Sequence, residues 1–505
     1  MKFWKSYSRL ICVVIVFILF SSSIQLHAQQ RIDLTLESAV EIMMNNSYQI
    51  RQLEMGIERT RLLLKAERAG LKSKVYMNLQ TPDLNNTSDY KWNSSLQRNE
   101  IVRENSTRWQ MDLAVQQPVI LFGYPTNGNI AVNYQLYRYN QRENGDNFVN
   151  YYNRLYLSFE QPLFQPNELK NDIEEAELNL DRDELNYLSN QVRTMQSIAG
   201  DYYDLFEIAY QDIINNHYVD NLMRIREITL DLIQRDSTKA FDQKQIELAI
   251  ANAQNELMKN QTNLRIEKAR IVQNLGLHED DIINIFPEII IHPVYINEEE
   301  AINYGLSLRP SMRLLSLQRR QEEIRFEYTK ATDAIKLDLE MTYGLEKDDE
   351  RYRYLFDDFD NSNSITLNAY FPIWDWGRRK ARIEAGKIAL ERIDLNIEET
   401  EKEIRTTIIN VIKNVNEYQA RILNLENGAT AAEEITNFSL ERYQNNGISL
   451  QDILQIVSRQ KETEENFLES YLDYRESLLD LVEGTYYNYE TNMSLIDELR
   501  MREEL

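Results

Sequence analysis

The sequence predicts a mainly α protein that also carries part of a β-barrel: long antiparallel coiled-coil hairpins, plus strands pooled into a wall shared between copies. Three observations predict it. A strand–proline–helix passage occurs twice, long stretches repeat apolar residues at heptad spacing, and shorter stretches alternate apolar and polar residues strictly. The first copy of the passage, Leu155 to Phe164, contains Pro162; the second, Ile365 to Trp374, contains Pro372, 210 positions on. The register continues into the following segments, where Leu180, Arg182 and Leu185 match Leu390, Arg392 and Leu395.

Taken in order, residues 1–28 read as a signal peptide. Lys2, Lys5 and Arg9 precede an apolar run from Leu10 to Phe20, and cleavage is expected after Ala28. Cys12, the only cysteine, falls inside that run, so a processed chain would contain neither disulfide nor thiolate metal site. The first repeat is expected over 29–285, a linker over 286–296 around Pro287 and Pro293, the second repeat over 297–490 and a tail over 491–505. Each repeat opens with a helical pattern, Leu36 to Leu71 and Glu298 to Lys330, followed by an alternating strand. Val75, Met77 and Leu79 interleave with Tyr76, Asn78 and Gln80; Ile335, Leu337, Leu339 and Met341 interleave with Lys336, Asp338 and Glu340. A wall with lipid on one side and water on the other needs this period of two, though a soluble sheet shares it. Residues 108–117 and 129–138 alternate in the same way and read as a further hairpin, either in the wall or outside it.

Beyond each proline lies a long helical hairpin. Val192, Ala199 and Phe206 mark one heptad seam, and Ile404, Ile408, Val415 and Ile422 mark the other. The polar clusters at Asn215 to His217 and Glu426 to Gly428 are expected to be the turns, which makes Asp212, Glu417 and Glu426 candidate gate acids near the tips. Only 14 Gly and 9 Pro in 505 residues agree with few turns and long elements.

The formal charge is −25, and loss of Lys2, Lys5 and Arg9 with the leader leaves −28, which argues against nucleic acid as a partner. His217, His278 and His292 show no metal-ligand spacing, and no nucleophile elbow, phosphate loop or zinc-protease pattern occurs. The sequence therefore gives no reason to expect an enzyme, a metal or another cofactor. Four strands per chain cannot close a barrel and unpaired edges are not tolerated in lipid, so copies must share one wall; three copies give about twelve strands, or more if the extra hairpin joins. Trp92, Trp109, Trp374 and Trp376 all fall in or beside strand regions, as an interfacial girdle requires.

These motifs resemble the TolC-like outer-membrane efflux proteins over nearly the whole chain. The resemblance rests on the passages ending at Pro162 and Pro372, on Trp376-Gly377-Arg378-Arg379, on Leu36 to Val40 with Asn45-Asn46, on Ala301-Ile302 with Arg309-Pro310, and on Arg442 to Leu454. It implies a homotrimer with a twelve-stranded outer-membrane barrel continued by a periplasmic helical tunnel, the exit duct of a tripartite efflux pump or type I secretion system. It also implies a periplasmic adaptor and an inner-membrane transporter as partners, outer-membrane lipid around the wall, and Pro162, Pro372 and Gly377 at the barrel-to-helix junctions. The first repeat departs from the pattern at Gln165 to Leu169, which lacks the glycine–arginine run. The rival reading is a periplasmic coiled-coil scaffold or adaptor with a soluble β domain.

Overall fold

The computed structural model describes residues 31–93, 97–143, 146–235 and 240–503; the expected signal peptide lies outside them. Two compact units emerge, and both cut across the sequence repeats. One is built from Arg51–Ser189 and Arg309–Arg405, the other from the segment ending at Ile50, Asn190–Leu308 and Thr406–Leu505.

In the first unit a six-stranded antiparallel sheet holds β2 (Lys74–Asn93), β3 (Arg98–Leu121), β4 (Tyr124–Glu143), β5 (Asp146–Leu163), β7 (Lys336–Asp349) and β8 (Asp360–Tyr370), in that spatial order. The hairpin over 108–138 is thus part of the sheet, at its centre. The pairing carries side chains of one kind across the strands. Val75 faces Val115, which faces Val132, Leu157 and then Tyr343, and one rung on Met341 faces Ile365. The neighbouring row, on the other face, runs Tyr76, Ala114, Asn133, Tyr156, Gly344 and Ser362. Because successive residues of a strand point to opposite sides, one register fixes both faces at once. Helix α2 (Tyr48–Ala69), the first part of α3 (Glu168–Arg235), α6 (Pro310–Ala331) and the first part of α7 (Arg378–Gln444) accompany the sheet. They are cross-linked by Thr60 Oγ1 donating to Asp183 Oδ2 at 2.6 Å, Arg320 Nε to Glu174 Oε1 at 2.6 Å and Arg319 Nε to Asp394 Oδ1 at 2.7 Å.

The second unit is helical. The remainder of α3 runs antiparallel to α4 (Ala240–Asn274), with Asn274 Nδ2 donating to Asp201 Oδ2 at 2.9 Å and Asn260 Nδ2 to Ile208 O at 3.1 Å. The remainder of α7 runs antiparallel to α8 (Leu450–Thr485), where Tyr474 OH meets Gln419 Oε1 at 3.2 Å. All four helices share a core of Leu222, Ile225, Ile246, Tyr443, Ile453 and Val457, each essentially inaccessible. The heptad-seam residues lie outside that cluster but are buried too: Val192, Ala199, Phe206, Ile408, Val415 and Ile422 in this unit, Phe206 and Ile422 within a second apolar cluster, and Ile404 in the sheet unit. A short parallel pairing of β1 (Arg31–Asp33) with β6 (Ile282–Asn284), α1 (Leu36–Asn46) and α5 (Glu298–Ser307) complete this unit, together with a C-terminal hairpin and α9 (Leu495–Glu503).

Three expectations need correction. The turn placed at Asn215 to His217 lies inside α3, which continues to Arg235. Asn216 Nδ2 donates to Asp212 O at 2.7 Å, one turn back, so this polar cluster satisfies itself on a helix. The turn placed at Glu426 to Gly428 lies inside α7, which continues to Gln444. Gly428 has no left-handed backbone there; a Cβ on it would meet Thr463 Cγ2 at 3.9 Å, an ordinary packing distance. The stop comes at Asn446, with φ +58, where Gly447 N donates to Arg442 O at 2.7 Å and Asn446 N to Tyr443 O at 3.0 Å. That pair of bonds is a Schellman ending, with asparagine in the left-handed position usually held by glycine. Ser449 then caps α8 in a reciprocal box with Asp452. Finally, the single opening helix of each repeat is two: one breaks at Ser47, the other at Leu308 and Arg309, with Pro310 starting α6.

The linker forms a strap without helix or strand from Ile285 to Asn297. Val294 N donates to Gln419 Oε1 at 2.9 Å, and His292 O accepts from Tyr474 OH at 2.8 Å. Burial pushes the Tyr474 hydroxyl up to about 12, so it stays a donor to the strap at any physiological pH.

Candidate functional site

Two regions could carry function: the sheet, and a polar groove in the helical unit. On one face of the sheet the apolar side chains are bare. Val75 is 65% exposed, Val132 48%, Leu157 46% and Ile365 73%. Leaving such a band in water costs roughly 25 cal/mol for every Å². The other face is polar and internally bonded. Tyr152 OH donates to Glu346 Oε2 at 2.7 Å, and Arg154 Nε lies 3.5 Å from the same oxygen while its guanidinium covers the Tyr156 ring at 4.4 Å. Asn133 Nδ2 donates to Ser158 Oγ at 2.9 Å. One wall therefore separates an apolar surface from a hydrated one.

Aromatic residues mark both ends of the apolar band. Where strands meet helices, Phe122, Tyr124, Phe164, Phe371, Trp374 and Trp376 are exposed. At the opposite end the connection between β7 and β8 folds back over the apolar side: Leu355 is fully buried, its carbonyl accepts from Asn153 Nδ2 at 3.4 Å, and Tyr352 meets Tyr151 edge-on at 5.6 Å. Trp92 and Trp109 lie within β2 and β3.

The junctions contain the residues singled out by sequence. Pro162 is the penultimate residue of β5, and Pro372 lies two residues past β8. The duplicated passages leave their strands differently. In the first, Phe164 takes φ +61 and Asn167 caps α3 by accepting from Lys170 N at 3.0 Å. In the second, Trp376 and Gly377 take φ +56 and +82 in succession. Asp375 accepts from Gly377 N at 2.9 Å and Arg379 N at 2.8 Å, and these backbone donors, Arg379 first, hold its carboxyl below the usual range. Asp333 anchors the start of α7 from the side through Arg378 and Arg382, at 2.7 and 2.9 Å. Asn167 thus caps the helix in the first repeat and Asp375 in the second, where Arg378 and Arg382 add their pairs to Asp333.

The candidate gate acids do not form one cluster. Asp212, in mid-helix, faces α4, with Asn260 Nδ2 at 3.5 Å from its Oδ1. Glu417 is exposed on α7. Glu426 lines a groove together with His217, Asp220, Glu433 and Glu464. There His217 Nδ1 lies 3.9 Å from Glu464 Oε2, and Gln460 Nε2 donates to Glu464 Oε1 at 2.8 Å. Burial raises the Glu464 carboxyl above its ordinary value, with Glu433 and Glu465 adding to the rise against Gln460 and His217. Sequence reasoning passed over Glu464 because one acid among 81 carries no signal until the fold removes it from water. Among the described residues no group of three His, Cys, Asp or Glu side chains is placed to hold a metal, and no helix is long and apolar enough to cross a membrane.

Comparison with known proteins fits this geometry. Residues 304–483 match the outer membrane efflux protein family. The matched stretch covers α6, the β7–β8 pair, α7 and nearly all of α8, and so includes the second junction and the second helical hairpin. Solved structures extend the fold to the rest of the chain. The outer membrane channel CmeC of Campylobacter jejuni superposes with a TM-score of 0.63 over 95% of this chain and 94% of its own, at 12% identity. The outer membrane protein VceC of Vibrio cholerae gives 0.62 over 89% and 95%, at 14% identity. The open-state MtrE outer membrane channel of Neisseria gonorrhoeae gives 0.59 over 89% and 88%, at 13% identity. No curated protein sequence matches the chain.

Proposed function

We propose that this protein is an outer-membrane channel, the exit duct of a tripartite efflux pump or a type I secretion system, working as a homotrimer with a periplasmic adaptor and an inner-membrane transporter. One observation carries the reading: an apolar row crosses the sheet strand by strand and stays exposed, with polar side chains on the reverse. A soluble β domain, as the scaffold alternative requires, would cover that row. Lipid covers it here, and β2 and β8, the unpaired edges, must be paired by further copies because the bilayer offers backbone groups no partner. Cargo moves passively through the hydrated side, driven by the partner transporter.

The strongest test is fractionation of cells that make the full chain. A heat-modifiable trimer in the detergent-extracted outer membrane is expected, and a folded monomer released wholly with the periplasm would overturn the reading. Pro162, Pro372 and Gly377 serve in it as barrel-to-helix junctions. For the gate, Asp212 and Glu417 lose the support of a nearby turn. Glu426 keeps a polar setting, and Glu426→Gln is expected to reduce cation preference; an unchanged reversal potential would remove it from the conduction path.

A further inference from the structure

We infer that three copies close a wall of eighteen strands, six from each, instead of twelve, and that the hairpin β3–β4 is what widens it. This rests on the trimeric channel reading and adds the calibre of its membrane segment. Pairing gives the first support. β2 bonds to β3 and β5 bonds to β4, in nearly continuous register from Lys74–Gln116 to Asn93–Arg98 and from Asn129–Glu160 to Glu143–Asp146. Among the described residues no pairing joins β2 to β5 directly, so taking the hairpin out of the wall would break both ladders.

Side-chain chemistry gives the second. Val115 on β3 and Val132 on β4 continue the exposed apolar row from Val75 to Leu157, while Ala114 and Asn133 continue the opposite row from Tyr76 to Tyr156. A hairpin lying in water outside the barrel has no use for that division. The turn between the two strands agrees. Phe122 and Gly123 take φ +53 and +85, a two-residue hairpin reversal, and they hold the Phe122 ring 99% exposed on the end where Phe371 and Trp374 are also bare.

Closure gives the third. Six consecutive antiparallel strands leave β2 and β8 running in opposite directions, so β8 of one copy meets β2 of the next as one more antiparallel pair. Barrel diameter grows about linearly with strand number, so the wall is about one and a half times as wide as a twelve-stranded one and admits correspondingly bulkier cargo.

The test is electron cryomicroscopy of the detergent-purified full-length particle, at a resolution that separates strands. Three copies around an eighteen-stranded wall are expected. Three copies around twelve strands, with residues 98–143 outside, would overturn this inference and leave the channel reading standing; a particle of another copy number would overturn the channel reading itself. A second measurement needs no image. A fluorophore on Leu113→Cys or Val132→Cys, in reconstituted full-length protein, should be quenched by lipid-phase nitroxide and not by aqueous iodide. Quenching by iodide alone at both positions would place the hairpin outside the wall.

Discussion

The same residue types have opposite fates in the two units. In the helical unit Leu222, Ile225, Ile246 and Ile453 have no accessible surface, because helices from both halves of the chain close over them. In the sheet unit Val132, Leu157, Ile365 and Leu367 keep roughly half or more of theirs. Sequence periodicity shows that an element has an apolar face; it does not show what covers that face. In one unit the cover is the chain itself. In the other the described residues leave it bare, and on the proposed channel reading lipid is the cover that separates a membrane wall from an ordinary sheet.

Substitutions can break or sharpen the contrast. The largest effect is expected from Leu222→Ala, which opens a cavity where four helices meet and should cost about 2–5 kcal/mol; Leu157→Ala, whose gap lipid refills, should cost about half a kcal/mol or less. Thermal or urea midpoints of the purified protein would show it, and equal losses at the two sites would mean that the sheet's apolar face is packed against protein. Next is Leu157→Arg, expected to cost about 2–4 kcal/mol in a bilayer and to lower the amount of folded protein in vesicles. If folding in vesicles is as efficient as for the natural chain, Leu157 does not face lipid.

The smallest effect concerns Glu464. Its carboxyl is raised in the folded state, so the stability that it contributes is fully present below the ordinary carboxylate range and is lost as pH rises through the folded value. At neutral pH Glu464→Gln should raise the melting midpoint by about 1–2 °C, and the gain should disappear near pH 4. A destabilised variant at neutral pH would mean that the ionised carboxylate is the form the groove holds best.

What could be read from sequence divides along the same line. Alternation at Val75 to Leu79 and 129–138, and the seams through Val192 and Ile408, were legible because each depends on near neighbours. Whether the 108–138 hairpin joins the wall was not, since that depends on pairing Val115 with Val75 and Val132. The helix ends were misplaced for another reason. Asn215, Asn216 and Gly428 are turn-formers by type, but Asn215 is buried inside the bundle and Asn216 is bonded along its own helix. Asn446-Gly447 with Ser449 and Asp452 forms the true stop and restart. The groove around Glu464 draws on α3, α7 and α8, so no local pattern could announce it.

The reversal at Phe122 and Gly123 has a bearing on how such a duct can change size. A chain that must leave the membrane on the side it entered can acquire wall only as up-and-down couples, and threefold repetition triples every couple. In the threefold duct proposed above its gauge is therefore quantised: the smallest enlargement is one of six staves at once.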